Sequence, residues 1–444
     1  MSFLREYFFK KSNVETFSEN QELKFDKKEY DASYDLSKTM FRLVGLRLTH
    51  NDPPLARLLW NAFYLFEAIN VLLAMFLELI KMKQTARDGS FIELFTMMPC
   101  VGYLLLCSVK SYKILYYRPV YENLITELRD MWPQDAVTKE EYDIVRLALV
   151  RLRRNIKGYY FCTLALFILL SAPPFTAMIK RAMGQEVPLT LGFSYWFPFD
   201  PFQRGRFEVI AVIQTWHCFL ALGFMLPTDA LFWVFLSHIT TQFDLLAIRL
   251  KKMFYVPLDE QLIEKYPLAQ YSLQCDTDNI EFNNNNESEK VYQKKLVDVI
   301  LKHRALIRMS GVVENQFTFS LLINFINSSI IICFCGFCCM FVEKWNEITY
   351  KFFLTTATLQ IWLVCWYGQK LLDSSQGIAD AVYCSGWYNV PQRVKSFLII
   401  IFYRAQKEVY VTTYGFSVIS IASYSTILKT SWSYLMLLVN VFKK

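Results

Sequence analysis

Seven stretches of this chain are apolar over close to the roughly 20 residues that a helix needs to cross a bilayer, and they leave little choice of fold. They lie at about 57–80, 91–109, 159–179, 207–239, 316–342, 349–368 and 409–444. In hydrocarbon only helices and closed barrels satisfy their own backbone, and runs this long without alternation read as helices. The apolar share of 54% and the aromatic share of 17% fit that class, because 20% charge could not cover so much apolar surface in water. The expected fold is an all-α membrane protein with seven transmembrane helices.

No Gly- or Pro-rich linker divides the chain, so residues 1–444 read as a single seven-helix membrane domain. Residues 1–50 form a polar N-terminal segment that ends in the amphipathic piece SKTMFRLVGLRL, expected on the membrane surface. Residues 240–312 form a long polar loop, in which DTDNIEFNNNNESEK reads as a disordered, Asn-rich insert. Pro173-Pro174 end the third span, and Pro227 breaks the fourth. Residues 396–444 hold the last helix in two pieces, the short VKSFLIIIFYRAQ leading into the final span.

That final span is unusually polar. Read as one helix from Val409, it sets Thr413, Ser417 and Ser420 on one face; further on, Thr426, Thr430, Ser433, Leu437 and Val441 share a face, with Lys429 in mid-span. A helix surrounded by lipid would not carry such a stripe, so one face must look at other helices or at water. Glu67, inside the first span, reads as a partner in an interhelical hydrogen bond. Cys333, Cys335, Cys338 and Cys339 read as small packing residues, since a metal site there would need thiolate charge in hydrocarbon. The four histidines are scattered. No metal, cofactor or catalytic residue is expected, and HExxH, GxSxG and P-loop motifs are missing.

Charge gives the orientation. The loop between spans two and three holds ten Lys and Arg residues from Lys110 to Lys157, and the loop between spans four and five holds ten from Arg249 to Arg308. The alternate loops hold three, four and one. Positive residues mark the cytoplasmic side, which puts the N-terminus in the cytoplasm and the C-terminus outside. The net charge of +7 is therefore topological, and nucleic acid is not an expected partner. This inverted topology, with no DRY-like tripeptide and no NPxxY, argues against a G-protein-coupled receptor.

Four pieces of the sequence resemble the insect odorant receptors. They are WFPFD at 196–200 with Gln214 in the following span; WYGQKL at 366–371; ADAVYCSGWY at 379–388; and the terminal YRAQK and SYSTILKTSWSYLMLL between Tyr403 and Leu438. Ser423-Tyr424-Ser425-Thr426, Lys429 and Ser433-Tyr434 come close to the family signature. The TYxxxxxQF-type motif of the sister gustatory receptors is missing, and the Asn-rich loop does not look like the co-receptor. The chain resembles a ligand-tuned subunit.

The resemblance implies a subunit of a tetrameric, odorant-gated, non-selective cation channel, partnered by co-receptor subunits in a hetero-tetramer. It implies a multi-pass protein of the plasma membrane of olfactory sensory neurons, whose ligand is a small volatile organic molecule. Its pore would be lined by the last helix, with Leu437 and Val441 as a hydrophobic gate and Asn440 as the polar constriction. Its ligand pocket would lie in the outer half of the bundle among Phe95, Met98, Phe167, Leu170, Ile210, Ile213, Tyr350, Phe353 and Leu354, with Tyr350 as hydrogen-bond partner. Trp387, Tyr388 and Arg404 would serve a cytoplasmic anchor between subunits. The rival reading is an inverted chemoreceptor, gustatory-like or pheromone-sensing, or one that signals through cytosolic partners without its own pore.

Overall fold

The computed structural model describes residues 24–48, 53–133, 137–185, 187–203, 205–254, 286–341 and 344–442, and the regular elements among them are helical. In chain order the α-helices are α1 (Lys27–Leu43), α2 (Pro54–Arg87), α3 (Phe91–Tyr116), α4 (Arg118–Asp130), α5 (Lys139–Ala182), α6 (Arg206–Lys251), α7 (Asn286–Phe341), α8 (Lys344–Tyr383), α9 (Gln392–Ala405) and α10 (Ile421–Phe442). Six of them, α2, α3, α5, α6, α7 and α8, are long and apolar enough to cross a membrane. Helix α10 has the length, at 22 residues, but is not among those six.

Helix α6 is the centre. Its most apolar window is 61% buried, against 22% for α5 and 28% for α2 and α3. It is packed by α8, α5, α1, α7 and α3 in turn. Lipid is as apolar as leucine, so this burial stabilises through close packing and hydrogen bonds rather than exclusion of water. Trp233, fully buried on α6, meets the Tyr159 ring edge-on at 5.1 Å, with Tyr367 stacked 6.4 Å away. Aromatic pairs in such arrangements add about 0.5–1.5 kcal/mol each.

Several expectations need correcting. Pro227 does not break the fourth span and Pro173-Pro174 do not end the third: α6 and α5 run through them. The turn at Pro227 is buried on every side, so packed neighbours hold the helix through the missing amide. The amphipathic piece near residue 40 is packed on the bundle. It ends α1, whose Tyr30, Tyr34 and Phe41 are at most 1% exposed and join the bundle core. Much of the polar 240–312 region is helix, since α6 continues to Lys251 and α7 begins at Asn286. Of the Asn-rich insert, residues 276–285 lie outside the described residues and residues 286–290 open α7.

The largest correction is at the end of the chain, where residues 409–420 are not helical. Tyr414 and Gly415 have φ of 54° and 78°, which reverses the chain, and Thr412 pairs with Val418 across the turn. A left-handed pair ends any helix. Thr413, Ser417 and Ser420 therefore share no helical face. Ser420 instead caps α10, its hydroxyl accepting from the Ser423 amide at 3.3 Å.

Candidate functional site

Helices α3, α5, α6 and α8 do not close completely on one another, and a cavity of about 40 Å³ is left between them. Each wall follows helical spacing: Cys100, Tyr103 and Leu104 from α3; Leu166, Phe167 and Leu170 from α5; His217, Cys218, Ala221 and Leu222 from α6; Phe353 from α8. Phe193 and Tyr195, from the aromatic loop before α6, complete it. The loop is fixed by Gln214, whose amide donates to the Phe193 carbonyl at 2.7 Å and accepts from the Phe193 amide at 3.2 Å. The Trp196 amide donates to the Leu77 carbonyl, and the Tyr195 ring lies 5.9 Å from that of His217. Gln214 and the loop motif, separate in sequence, are thus one device.

Phe167, Leu170 and Phe353 line this cavity. Tyr350 and Leu354 pack in the adjoining cluster with Leu166, Ile331 and Cys335, and the Tyr350 hydroxyl already donates to the Thr96 carbonyl at 3.3 Å. Phe95 packs elsewhere, with its ring 5.0–5.5 Å from those of Phe334, Phe337 and Phe442. Met98 is half-buried on α3, Ile210 is buried near the start of α6, and Ile213 is 46% exposed; none of the three lines the cavity. Tyr103, Tyr195 and His217 line the cavity without having been predicted. Gln214 was the one available signal, since three residues on from it comes His217.

Tyr103, Leu166 and Phe353 also wall a smaller void of about 10 Å³, together with Gln360. Gln360 donates to Asp229 Oδ2 at 2.8 Å, and Lys110 pairs with Asp229 Oδ1. This buried cluster ties α3, α6 and α8 together. Glu67 is likewise engaged, accepting from Trp216 Nε1 at 3.3 Å between α2 and α6.

Helix α10 has two faces. Ile427, Ser431, Leu435 and Val439 are buried, the last two against Cys333 and Phe337 of α7. At about 100° per residue, Thr426, Thr430, Ser433, Leu437 and Val441 fall on a stripe centred roughly 140° away. All five are exposed, Leu437 at 60% and Val441 at 63%. Asn440 and Lys429, also exposed, flank the stripe on one side. Trp387 and Tyr388 are 41% and 49% exposed, and Arg404 donates to the Lys407 carbonyl at 3.1 Å. Facing Arg404 is His303 of α7, outside the apolar run; burial first, and the Arg404 charge second, hold its pKa down at about 4.

Residues 90–432 match the family model described as 7tm Odorant receptor. Odorant receptor 67c of Drosophila melanogaster is 26% identical over 410 residues, covering 90% of this chain and 93% of that protein. Odorant receptor 85b of the same species is 23% identical, covering 90% and 97%. The fold is similar to that of the insect olfactory receptor OR5 from Machilis hrabei in complex with eugenol, with a TM-score of 0.76 at 13% identity over 94% of this chain and 100% of that one.

Proposed function

The chain belongs to the insect odorant receptor family, among its ligand-tuned members, and on that premise we propose that it is a subunit of an odorant-gated, non-selective cation channel. The observation that carries this is the exposed stripe on α10. A helix that buries one face and leaves an opposite, partly polar face open is built to border water between subunits. Leu437 and Val441 form the hydrophobic constriction and Asn440 the polar residue beside it. An apolar ring stops ions by dewetting, and a small rotation that brings in a polar side chain admits them.

The basic loops put the N-terminus in the cytoplasm and the end of α10 outside. Residues 1–444 act as one membrane unit, with 1–50 and 240–312 on the cytoplasmic side and 396–444 forming the last helix and its lead-in. Trp387, Tyr388 and Arg404 meet neighbouring subunits there. The partners are co-receptor subunits in a hetero-tetramer, in the plasma membrane of olfactory sensory neurons.

The ligand enters the cavity over Phe167, Leu170 and Phe353, beneath the aromatic loop. At about 40 Å³ the cavity is smaller than a volatile of ten or so heavy atoms. An occupant must push its walls apart, and it thereby favours the arrangement in which α10 swings outward. Tyr350, Leu354, Phe95, Met98, Ile210 and Ile213 act as surrounding packing that yields to that expansion.

The test is co-expression with a co-receptor and current recording against a panel that begins with eugenol, a small phenol. Ligand-evoked cation current is expected, with permeation altered in Leu437→Ala and Asn440→Ala. A panel without any response, or unchanged permeation in both variants, overturns the reading.

A further inference from the structure

Two residues that line the apolar cavity each carry a polar atom without a partner among the described residues. The Tyr103 hydroxyl and Nδ1 of His217 are closed off from solvent, and neither has a hydrogen-bond partner among the described residues. Both residues line the cavity. His217 is only 3% exposed, so α6 buries a whole imidazole against that space. Elsewhere in the bundle such groups are engaged: Tyr64 donates to the Ser111 carbonyl, Tyr350 to that of Thr96, and Gln214 to that of Phe193. Other unpartnered buried atoms, such as Trp233 Nε1 and Tyr160 Oη, belong to residues away from this lining. Leaving a buried polar group unpaired is unfavourable. Two of them, on residues from two helices that wall one cavity, mark a place where a ligand that parts those walls supplies the missing partner.

We propose, resting on the receptor reading above, that this cavity selects small neutral alcohols and phenols. A phenolic hydroxyl donates or accepts, and a neutral imidazole nitrogen does one or the other according to its tautomer. A ligand hydroxyl can do both at once, so it satisfies Tyr103 and His217 in either tautomer. A carbonyl oxygen only accepts and satisfies them in one; a hydrocarbon satisfies neither. Leu166, Phe167, Leu170, Leu222 and Phe353 hold the apolar body. Glu78 on α2, 1% exposed and with Oε2 unpartnered, would favour an amine, but it is outside the lining, whose polar groups are an imidazole, phenols and thiols.

The probes are 2-phenylethanol against propylbenzene, 1-hexanol against heptane, and hexylamine, each titrated on cells that carry the chain and a co-receptor. Half-maximal concentrations for the alcohols should lie about tenfold or more below those of their hydrocarbon partners, as one or two buried hydrogen bonds imply. Tyr103→Phe should erase about tenfold of the alcohol advantage and leave the hydrocarbon titration unmoved; His217→Gln, which keeps a donor and an acceptor, should retain more of it than His217→Phe. Equal potency of alcohol and hydrocarbon, an equal shift of both in Tyr103→Phe, or the lead going to hexylamine overturns the ligand class while leaving the channel reading intact. If no probe evokes current, the channel reading fails alone. Thermal-shift titration of the purified chain with 2-phenylethanol and propylbenzene then decides the ligand class, and a stabilisation by the alcohol no greater than by the hydrocarbon overturns it.

Discussion

Lys110 and Tyr103 stand two turns apart on α3, and their surroundings are finished in opposite ways. Around Lys110 both carboxylate oxygens of Asp229 are bonded, one by the ammonium and one by Gln360. Tyr103 and His217 wall a cavity, and the Tyr103 hydroxyl and His217 Nδ1 have no hydrogen-bond partner among the described residues. The first arrangement is complete in the chain itself and holds three helices in register. The second is complete only with something added. A bundle that must be both stable and responsive separates the two tasks, closing its polar contacts where α3, α6 and α8 must not slip and leaving them open where a ligand is to act.

The sharpest way to break this contrast is at Asp229. Asp229→Ala leaves the Lys110 ammonium buried without its counter-charge, and should cost about 3–5 kcal/mol. Thermal unfolding in detergent and surface expression should both show it, while Asp229→Ala with Lys110→Met should recover most of the loss. If the single variant is as stable as the parent, the cluster is not a structural clamp.

His303 is a second buried titratable group, outside the apolar runs. Burial and Arg404 hold it neutral, at a pKa of about 4, below the usual 6.5. The unfolded chain takes up the proton first as pH falls, so the stability His303 contributes is complete above about pH 6.5 and is lost progressively towards pH 4. Unfolding at stepped pH should show a loss on the order of 2–3 kcal/mol across that window, and His303→Gln should flatten it.

The same contrast can be drawn with volume instead of charge. At Gly368 of α8 an added Cβ would meet the Ile419 carbonyl oxygen at 2.5 Å, whereas at Gly377 nothing lies within 4 Å. Gly368→Ala should destabilise by about 1–3 kcal/mol, since backbone cannot move aside. Gly377→Ala should stabilise α8 by roughly 0.5–1 kcal/mol. Calorimetry on both variants checks the sign as well as the size.

The fold was legible because hydrocarbon allows so few solutions: lengths of apolar run set the helices, and the Ser/Thr stripe of Thr426, Thr430 and Ser433 marked the open face of α10. The break at residues 409–420 was hidden, because the glycine and serines that make the turn and the cap also fit a polar helix face. The cavity was legible only in part. Phe167, Leu170 and Phe353 stand out as apolar residues on the right spans, but a membrane helix is apolar towards lipid and protein alike, so periodicity cannot separate exposed Ile213 from buried Ile210. Tyr103 gave no signal at all, and His217 only its place three residues after Gln214. What identifies them is that they lack partners, and partners are known only once the helices have been put together.

That lack makes the smallest expected effect the most discriminating. Tyr103→Phe removes a hydroxyl that bonds nothing among the described residues, so the usual loss of about 1 kcal/mol for a deleted hydrogen bond should not appear. Thermal unfolding of the ligand-free variant should match the parent within about 0.5 kcal/mol, or exceed it, because an unpaired polar atom has left an apolar wall. A loss comparable to that of an ordinary buried tyrosine hydroxyl such as Tyr64, which donates to the Ser111 carbonyl at 2.9 Å, would mean that Tyr103 has a partner in the resting chain. The cavity would then be as closed as the Asp229 cluster, and the division of the bundle into a finished site and an open one would fall. With stability unmoved and the alcohol response weakened, the hydroxyl has a single use, which is to meet the ligand.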